Sequence, residues 1–375
     1  MSRFDDLIPE HIRALSLYQP GKPIRQAERE SGIRCIKLSS NENPLGPSPK
    51  ALEAMRKAAA QANFYPDNDA SEVRQRLAAL HDVAVEQVLV TDGSTVLLDI
   101  LARTLLGPGH NAVTSERSFI VYPIVTRAAG AHLIEVPMRN DAFDLEAIAE
   151  AIGDDTRLVF LANPNNPTGT MFDAAATDAF LERVPSHVIV VLDEAYCDYA
   201  RHYARLHNIE YSRSLDYVRA GRNVVVLRTF SKAHGLAGIR VGYGLGPAEL
   251  LLHLARVRTA FSISAVAEAA ALAALDDEAH VQRSVESNAA GVAWLQAKLR
   301  EMGVRAVPTT ANFIYFDAGE DAAPLARRIQ AEGVIVRPMN AWGAPNALRV
   351  TVGTPEQNEL FISALRKTLA RAAVR

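Results

Sequence analysis

The chain has 375 residues, 49% of them hydrophobic and 22% charged, with a formal net charge of -3. At roughly 100–200 residues per domain this length holds two or three domains, and the composition can bury large cores, which excludes a disordered polypeptide. The balance of 40 basic against 43 acidic residues leaves no nucleic-acid footprint and no polybasic membrane patch. Two cysteines, Cys35 and Cys197, are too few for a disulfide framework and fit a reduced, cytoplasmic compartment. Asp5, Asp6 and Glu10 interrupt the N-terminus, so it lacks the apolar stretch of a secretory signal. No apolar run approaches the roughly 20 residues that span a bilayer.

Residues 1–40 are mixed and polar, broken by Pro20, Gly21 and Pro23, and are expected to form an N-terminal arm and part of a small domain. Residues 41–49 hold three prolines and a glycine and read as an irregular loop before a helix over 50–61. From residue 87, short β-branched runs alternate with stretches of helical spacing. Strands are predicted at 88–91, 111–115, 132–136, 158–162, 188–192, 223–228 and 240–245. Several are continuously apolar, as strands covered on both faces are. This alternation predicts an α/β fold whose large domain, residues 41–260, carries a mostly parallel sheet flanked by helices. Helices are predicted at 250–258, 264–275 and 280–302. Short strands at 305–307, 313–317, 334–337 and 348–352 and a helix over 355–371 then complete a smaller α+β domain, placed at 261–375.

In open α/β sheets, ligands sit outside the carboxyl ends of the strands, so the residues after each strand are the candidates. Asp92-Gly93-Ser94-Thr95 opens onto a helical pattern. A glycine turn at a helix N-terminus suits a phosphate, although an ordinary N-cap is the plainer account of that string alone. Asn163-Pro-Asn-Asn-Pro-Thr-Gly169 presents amides, which donate to a phenolate-like oxygen without titrating. In Asp193-Glu-Ala-Tyr196, an acid and a tyrosine three residues on can serve two atoms of one planar ligand. Thr229-Phe-Ser231-Lys232 comes next, with Arg240 eight residues on. Lysines at 22, 37, 50, 57, 232, 298 and 367 are the minority of the 40 basic residues, so arginine dominates. A strand-end lysine can lose its proton and form a Schiff base, which arginine cannot.

On a parallel sheet these four sites share one rim. Together they supply a phosphate cradle (Ser94, Thr95, Ser231, Arg240), an amine nucleophile (Lys232), an acid (Asp193) and neutral donors (Tyr196, Asn166). Pyridoxal phosphate needs this set: a lysine Schiff base and an acid that keeps its ring nitrogen protonated. A lysine freed from the cofactor is then placed to shuttle a proton.

With these strings in view, the chain resembles the fold-type I pyridoxal-phosphate aminotransferases and, within them, the histidinol-phosphate aminotransferases. The resemblance runs from Leu17-Tyr-Gln-Pro-Gly21 through Leu38-Ser-Ser-Asn-Glu-Asn-Pro-Leu-Gly46, Tyr65-Pro-Asp67, residues 163–169, 193–196 and 231–240 to Leu348-Arg-Val-Thr-Val-Gly-Thr354. It implies that Lys232 holds the cofactor, Asp193 pairs with the ring nitrogen, and Asn166 and Tyr196 bind the ring oxygen. It also implies that Ser94, Thr95, Ser231 and Arg240 bind the phosphate, with help from Thr229, and that Phe119 stacks on the ring. Tyr65 would reach the cofactor phosphate of a partner subunit, which implies a homodimer with shared active sites. Tyr18 and Asn43 would line the substrate pocket. Arg349 would clamp the carboxylate of glutamate and 2-oxoglutarate, and Arg337 would help hold a substrate phosphate or second carboxylate.

One string departs from the subfamily. Asp92-Gly-Ser-Thr-Val96 stands where Gly-Asn-Gly-Ser and following acids are expected; the cradle residues Gly93 and Ser94 remain. The expected activity is amino transfer between L-histidinol phosphate and 2-oxoglutarate, in histidine biosynthesis. The rivals are an aromatic amino-acid aminotransferase, which Trp342 and Phe119 would also suit, and a related lyase or decarboxylase. Gly242-Tyr-Gly-Leu-Gly246 is a weak signal for a nicotinamide site and lacks the last glycine of that fingerprint. Ten histidines are scattered without an HExxH string, so no metal site is expected.

Overall fold

The computed structural model describes residues 3–17 and 19–373. Twelve strands are named here in chain order: β1 (Ile36–Lys37), β2 (Val88–Thr91), β3 (Asn111–Ser115), β4 (His132–Val136), β5 (Thr156–Ala162) and β6 (Ile189–Asp193), then β7 (Val224–Thr229), β8 (Gly242–Leu245), β9 (Phe313–Asp317), β10 (Val334–Ile335), β11 (Arg337–Pro338) and β12 (Ala347–Thr351). Seven of them form one sheet in the order β2-β8-β7-β6-β5-β3-β4. Every pairing among β3 to β7 is parallel, whereas β8 runs antiparallel to both of its neighbours. Thus β2 points the same way as β3 to β7, and β8 alone is reversed. The predicted mostly parallel α/β sheet is present.

The apolar runs are explained by cover on both faces. Val159, Leu161, Val190, Leu192, Val224 and Val226 enter one buried cluster, while Leu158, Phe160, Val191, Val225 and Leu227 enter another. Successive side chains of a strand point to opposite faces, so a strand between two helical layers must be apolar at every position. Helix Ser94–Leu105 fills the second cluster with Leu97, Leu98, Ile100 and Leu101.

A second core surrounds the sheet β11-β12-β9 and the parallel pair β1-β10, with Leu38, Leu295, Leu299, Ile314, Phe316, Leu348, Val350 and Phe361. The strand predicted at 334–337 splits at Val336, because its first half pairs with β1 and its second with β12. The strand predicted at 305–307 shrinks to a single bridge, Ala306 to Phe316.

The sequence-based divide at residue 260 differs from the packing. Ile263 and helix Ala265–Leu275 belong to the large-sheet core, where Ala267, Ala270, Ala271 and Ala274 join Ala51 of helix Pro49–Ala59. Alanines on that face let two helices approach closely, a role that composition alone does not announce. The chain passes between cores within helix Glu278–Glu301: His280 and Ser284 bond residues 43–46, while Leu295 and Leu299 enter the second core.

Candidate active site

A cavity of about 290 Å³ lies at the carboxyl rim of the large sheet, walled on its far side by the small sheet. It is lined by Ser94, Thr95, Phe119, Asn166, Asp193, Tyr196, Thr229, Ser231, Lys232, Arg240, Arg337 and Arg349, twelve of the predicted site residues. The reversal of β8 matters to this convergence. Its first residue, Gly242, sits in register with Thr91 and Thr229, the last residues of its neighbours. Arg240, which precedes β8, therefore reaches the same rim as residues that follow the other strands.

One end of the cavity is an anion cradle. Gly93, at φ +102°, turns the chain so that helix Ser94–Leu105 starts with its amides at the rim. No side chain caps this helix. Its first-turn N–H groups and positive dipole end suit a phosphate. A Cβ on Gly93 would collide with the Arg240 guanidinium, and one on Gly242 would lie 2.5 Å from the Ser94 amide. Glycine is thus required at 242 by close approach of the backbone and at 93 by its positive φ. Arg240 Nη1 donates to Ala237 O at 2.9 Å and lies 3.4 Å from Ser231 Oγ. Thr229 Oγ1 donates to Ser231 Oγ at 3.0 Å, which fixes both hydroxyls.

At the centre stand the acid and the amine. Asp193 ends β6 and is 6% exposed. Its Oδ2 accepts from the Tyr122 hydroxyl at 2.9 Å and its Oδ1 from the Ala195 amide at 3.3 Å. Burial pushes its carboxyl up to about 6, against the pull of those two donors and of the Lys232 charge. Lys232 Nζ is half-buried, 3.4 Å from Asn41 O and 5.4 Å from the centre of the Tyr196 ring. The Tyr196 hydroxyl accepts from Asn41 Nδ2 at 2.9 Å, so its own proton remains for a ligand.

The small sheet supplies the opposite wall. Arg337 on β11 and Arg349 on β12 are register partners, so both side chains stand on one face. Arg349, 5% exposed, donates from Nη1 to Asn166 Oδ1 at 2.5 Å and from Nη2 to Ser39 O at 2.9 Å. The first bond occupies the carbonyl end of Asn166, which leaves its amide hydrogens as donors. Arg337 lies over the Trp342 ring at 5.3 Å and donates to Gln19 O.

Three expected residues do not join this lining. Asn43 is spent on structure, its Nδ2 donating to Ala233 O and Ser284 Oγ, both at 2.8 Å. Its neighbour Asn41 takes the place in the cavity instead, held at φ +57°. Tyr65 is 84% exposed and leans on Phe261 at 4.8 Å, outside its own chain's cavity. Tyr18 lies outside the described residues. Sequence reasoning missed Asn41 and Tyr122. Tyr122 stands three residues after Phe119, one helical turn away, which is a usable signal; the choice between two asparagines in Ser-Asn-Glu-Asn carries none.

The sequence profile of the family described as "Aminotransferase class I and II" matches residues 33–365. A histidinol-phosphate aminotransferase of Pseudomonas fluorescens is 48% identical over 364 residues, covering 96% of this chain and 97% of that protein. That of Moorella thermoacetica is 47% identical over 365 residues, covering 96% and 92%. The crystal structure of histidinol-phosphate aminotransferase from Sinorhizobium meliloti in complex with pyridoxal-5'-phosphate shares the fold with a TM-score of 0.86 at 29% identity, covering 99% of each chain. A lysine, an acid and an anion cradle on one rim, together with this near full-length similarity, place the chain in the class I and II aminotransferase family.

Proposed function

We propose that this aminotransferase uses pyridoxal phosphate to exchange an amino group between L-histidinol phosphate and 2-oxoglutarate, as a step of histidine biosynthesis in the cytoplasm. The observation that carries the substrate choice is the cross-strand pair Arg337 and Arg349, facing the cavity that holds Lys232 and Asp193. Two adjacent guanidiniums suit substrates that are anionic at an end, one a phosphate and the other a dicarboxylate.

The residues present fit the cofactor. The glycine-built cradle at the helix N-terminus matches a phosphate, and the buried Asp193 carboxyl calls for a cationic partner such as a protonated ring nitrogen. When bound, pyridoxal phosphate stores the amino group between the two half-reactions and draws electrons away from the substrate carbon. Lys232 would hold it through Nζ and, once released, would take and return the substrate proton. Tyr122 and Ala195 orient the Asp193 carboxylate from both of its oxygens. Asn166 and Tyr196 would donate to the ring oxygen, since their acceptor atoms are already used by Arg349 and Asn41. Ser94, Thr95, Thr229, Ser231 and Arg240 would hold the phosphate, and Phe119 would cover the ring. Arg349 would bind the carboxylate end of glutamate, with Arg337 at the distal anion.

The same reading makes the protein a homodimer whose partner site receives Tyr65. Phe64, Tyr65 and Phe261 expose an aromatic patch, at 71%, 84% and 45%. No helix among the described residues is long and apolar enough to cross a membrane.

The test is an absorbance titration of the cofactor-loaded protein with L-histidinol phosphate and separately with L-phenylalanine, without a keto acid. Conversion of the cofactor band at much lower concentrations of histidinol phosphate supports the proposal. A stronger response to phenylalanine favours the aromatic aminotransferase, for which Phe119 and Trp342 in the cavity wall are the supporting residues. No response to either sinks both substrates.

A further inference from the structure

Beside the cavity, one arginine touches both sheets. Arg117 follows β3 and stands two residues before Phe119. It is held at φ +50°, a left-handed conformation that a side-chain-bearing residue keeps only when its surroundings impose it. Its Nη1 donates to Asp141 Oδ1 at 3.3 Å and its Nη2 to Glu116 Oε1 at 3.0 Å, and Tyr315 lines the same small cleft as the guanidinium. Asp141, in a turn after β4, accepts on Oδ2 from Arg305 Nη2 at 2.7 Å. Asp141 and Glu116 belong to loops of the large sheet, whereas Tyr315 is on β9 and the Arg305 carbonyl accepts from the Asp317 amide of β9 at 2.9 Å.

Both ends of this clasp lead into the active site. Tyr315 is the register partner of Arg349. The Arg117 carbonyl accepts from Asn165 Nδ2 at 3.2 Å, and Ser118 Oγ donates to Asn165 Oδ1 at 2.9 Å. Asn166, the next residue, accepts from Arg349. Asp141 thus ties Arg117 to Arg305, whose carbonyl accepts from the Asp317 amide of β9, and Phe119 stands two residues beyond Arg117.

We infer that Arg117 is a positioning residue for amino transfer. Through Asp141 and Arg305 it locks the sheet that carries Arg349 to the loop that carries Phe119, so that substrate carboxylate and cofactor ring are held in one frame. This rests on the aminotransferase roles given to Arg349 and Phe119 above.

The experiment uses the full-length protein with Arg117→Gln, Asp141→Asn, the double variant and Arg117→Lys. Three quantities are read: the Kd of pyridoxal phosphate for the cofactor-free protein, and KM and kcat for glutamate. Each single change is expected to raise KM about tenfold, the weight of one charge-assisted hydrogen bond, with kcat nearly unchanged. The Kd should rise several-fold, because Phe119 loses its anchor. The double variant should be no worse than Arg117→Gln, since both remove one clasp. Arg117→Lys should recover part of KM through Asp141 alone. Unchanged KM and Kd, or effects of the two changes that multiply, would overturn the inference. A fall in melting temperature with KM intact would show a merely structural arginine and overturn it too. If glutamate fails to convert the cofactor band of the wild-type protein, the proposed function falls; if it converts that protein and Arg117→Gln alike, only the clasp falls.

Discussion

The rim of the large sheet and the face of the small sheet meet at one cavity but hold their side chains differently. Lys232, Asp193, Asn166 and Ser94 stand at or just past strand ends, beside turns whose backbone is set by glycine, proline and left-handed residues. Arg337 and Arg349 stand within strands, and their common direction follows from the antiparallel register. The rim offers irregular backbone, where amides and short side chains can surround a small planar group. The strand face offers spacing, where two long cationic side chains line the same cavity. One suits chemistry and the other recognition, so damage to the rim should appear in kcat and damage to the small sheet in KM.

Lys232 provides the largest test. Lys232→Ala should lower turnover on the order of 10⁴-fold, and Lys232→Arg should do no better, because a guanidinium keeps its proton. Single-turnover absorbance would check this, and an active Lys232→Arg variant would remove the amine from the chemistry. Next, Asp193→Asn should cost roughly 10²–10³-fold in kcat with a smaller change in KM for glutamate, since it withdraws a preorganised charge. Arg349→Gln should do the reverse, raising KM for glutamate by about 30-fold through loss of roughly 2 kcal/mol of charge-assisted bonding, with kcat less affected. Steady-state kinetics on that pair of variants decides the comparison: if Arg349→Gln lowers kcat with KM intact, the division between the two regions collapses.

The smallest effect is in stability against pH. His81 is buried beside Tyr243, 2.9 Å from its hydroxyl, and burial, with the Arg228 charge, pulls its pKa down to about 3. The unfolded chain takes up this proton near 6.5 and the folded one does not, so His81 costs stability as pH falls from about 6.5 toward 3, at about 1.4 kcal/mol per unit. Asp193 acts oppositely in the cofactor-free protein. Its carboxyl, raised by burial from 3.8 to about 6, favours the fold below about 4, and that support is lost as pH rises through about 6. Between pH 6 and 4 the two offset each other. Melting curves of cofactor-free protein should therefore fall more steeply with acid in Asp193→Asn, and less steeply in His81→Gln, than in the wild type; parallel curves would count against both assignments.

These two regions also differed in how much could be read before folding. The strands at 88–91, 111–115, 132–136 and 313–317 were legible to the residue, because each is a short apolar or β-branched run bounded by turn residues. The rim chemistry was legible for the same reason: a residue placed after such a run, as Asp193 and Lys232 are, is marked by its position. Arg337 and Arg349 have no such punctuation and were assigned only by family resemblance. Asn41 and Asn43 show the limit most sharply. Both are buried asparagines of one loop, and only the backbone turn at Asn41 sends one to Tyr196 and the other to Ser284. Arg117 was invisible because Asp141, and through it Arg305, are brought to it from two separate sheets.

Because β8 runs against its neighbours, Lys232 and Arg240 lie on the two flanks of a single hairpin between β7 and β8. Buried Phe230, Ala233, Leu236 and Val241 pin that hairpin, and Phe230 bonds both Leu236 and Val241 through its backbone. The gap between amine and guanidinium is thus a caliper cut into one short piece of chain. Most other rim groups end separate connections that include a helix, where added length can loop out into solvent without moving the rim. In this hairpin an extra residue would reset the caliper itself, so it is a stretch in which relatives should vary in side chains but not in length.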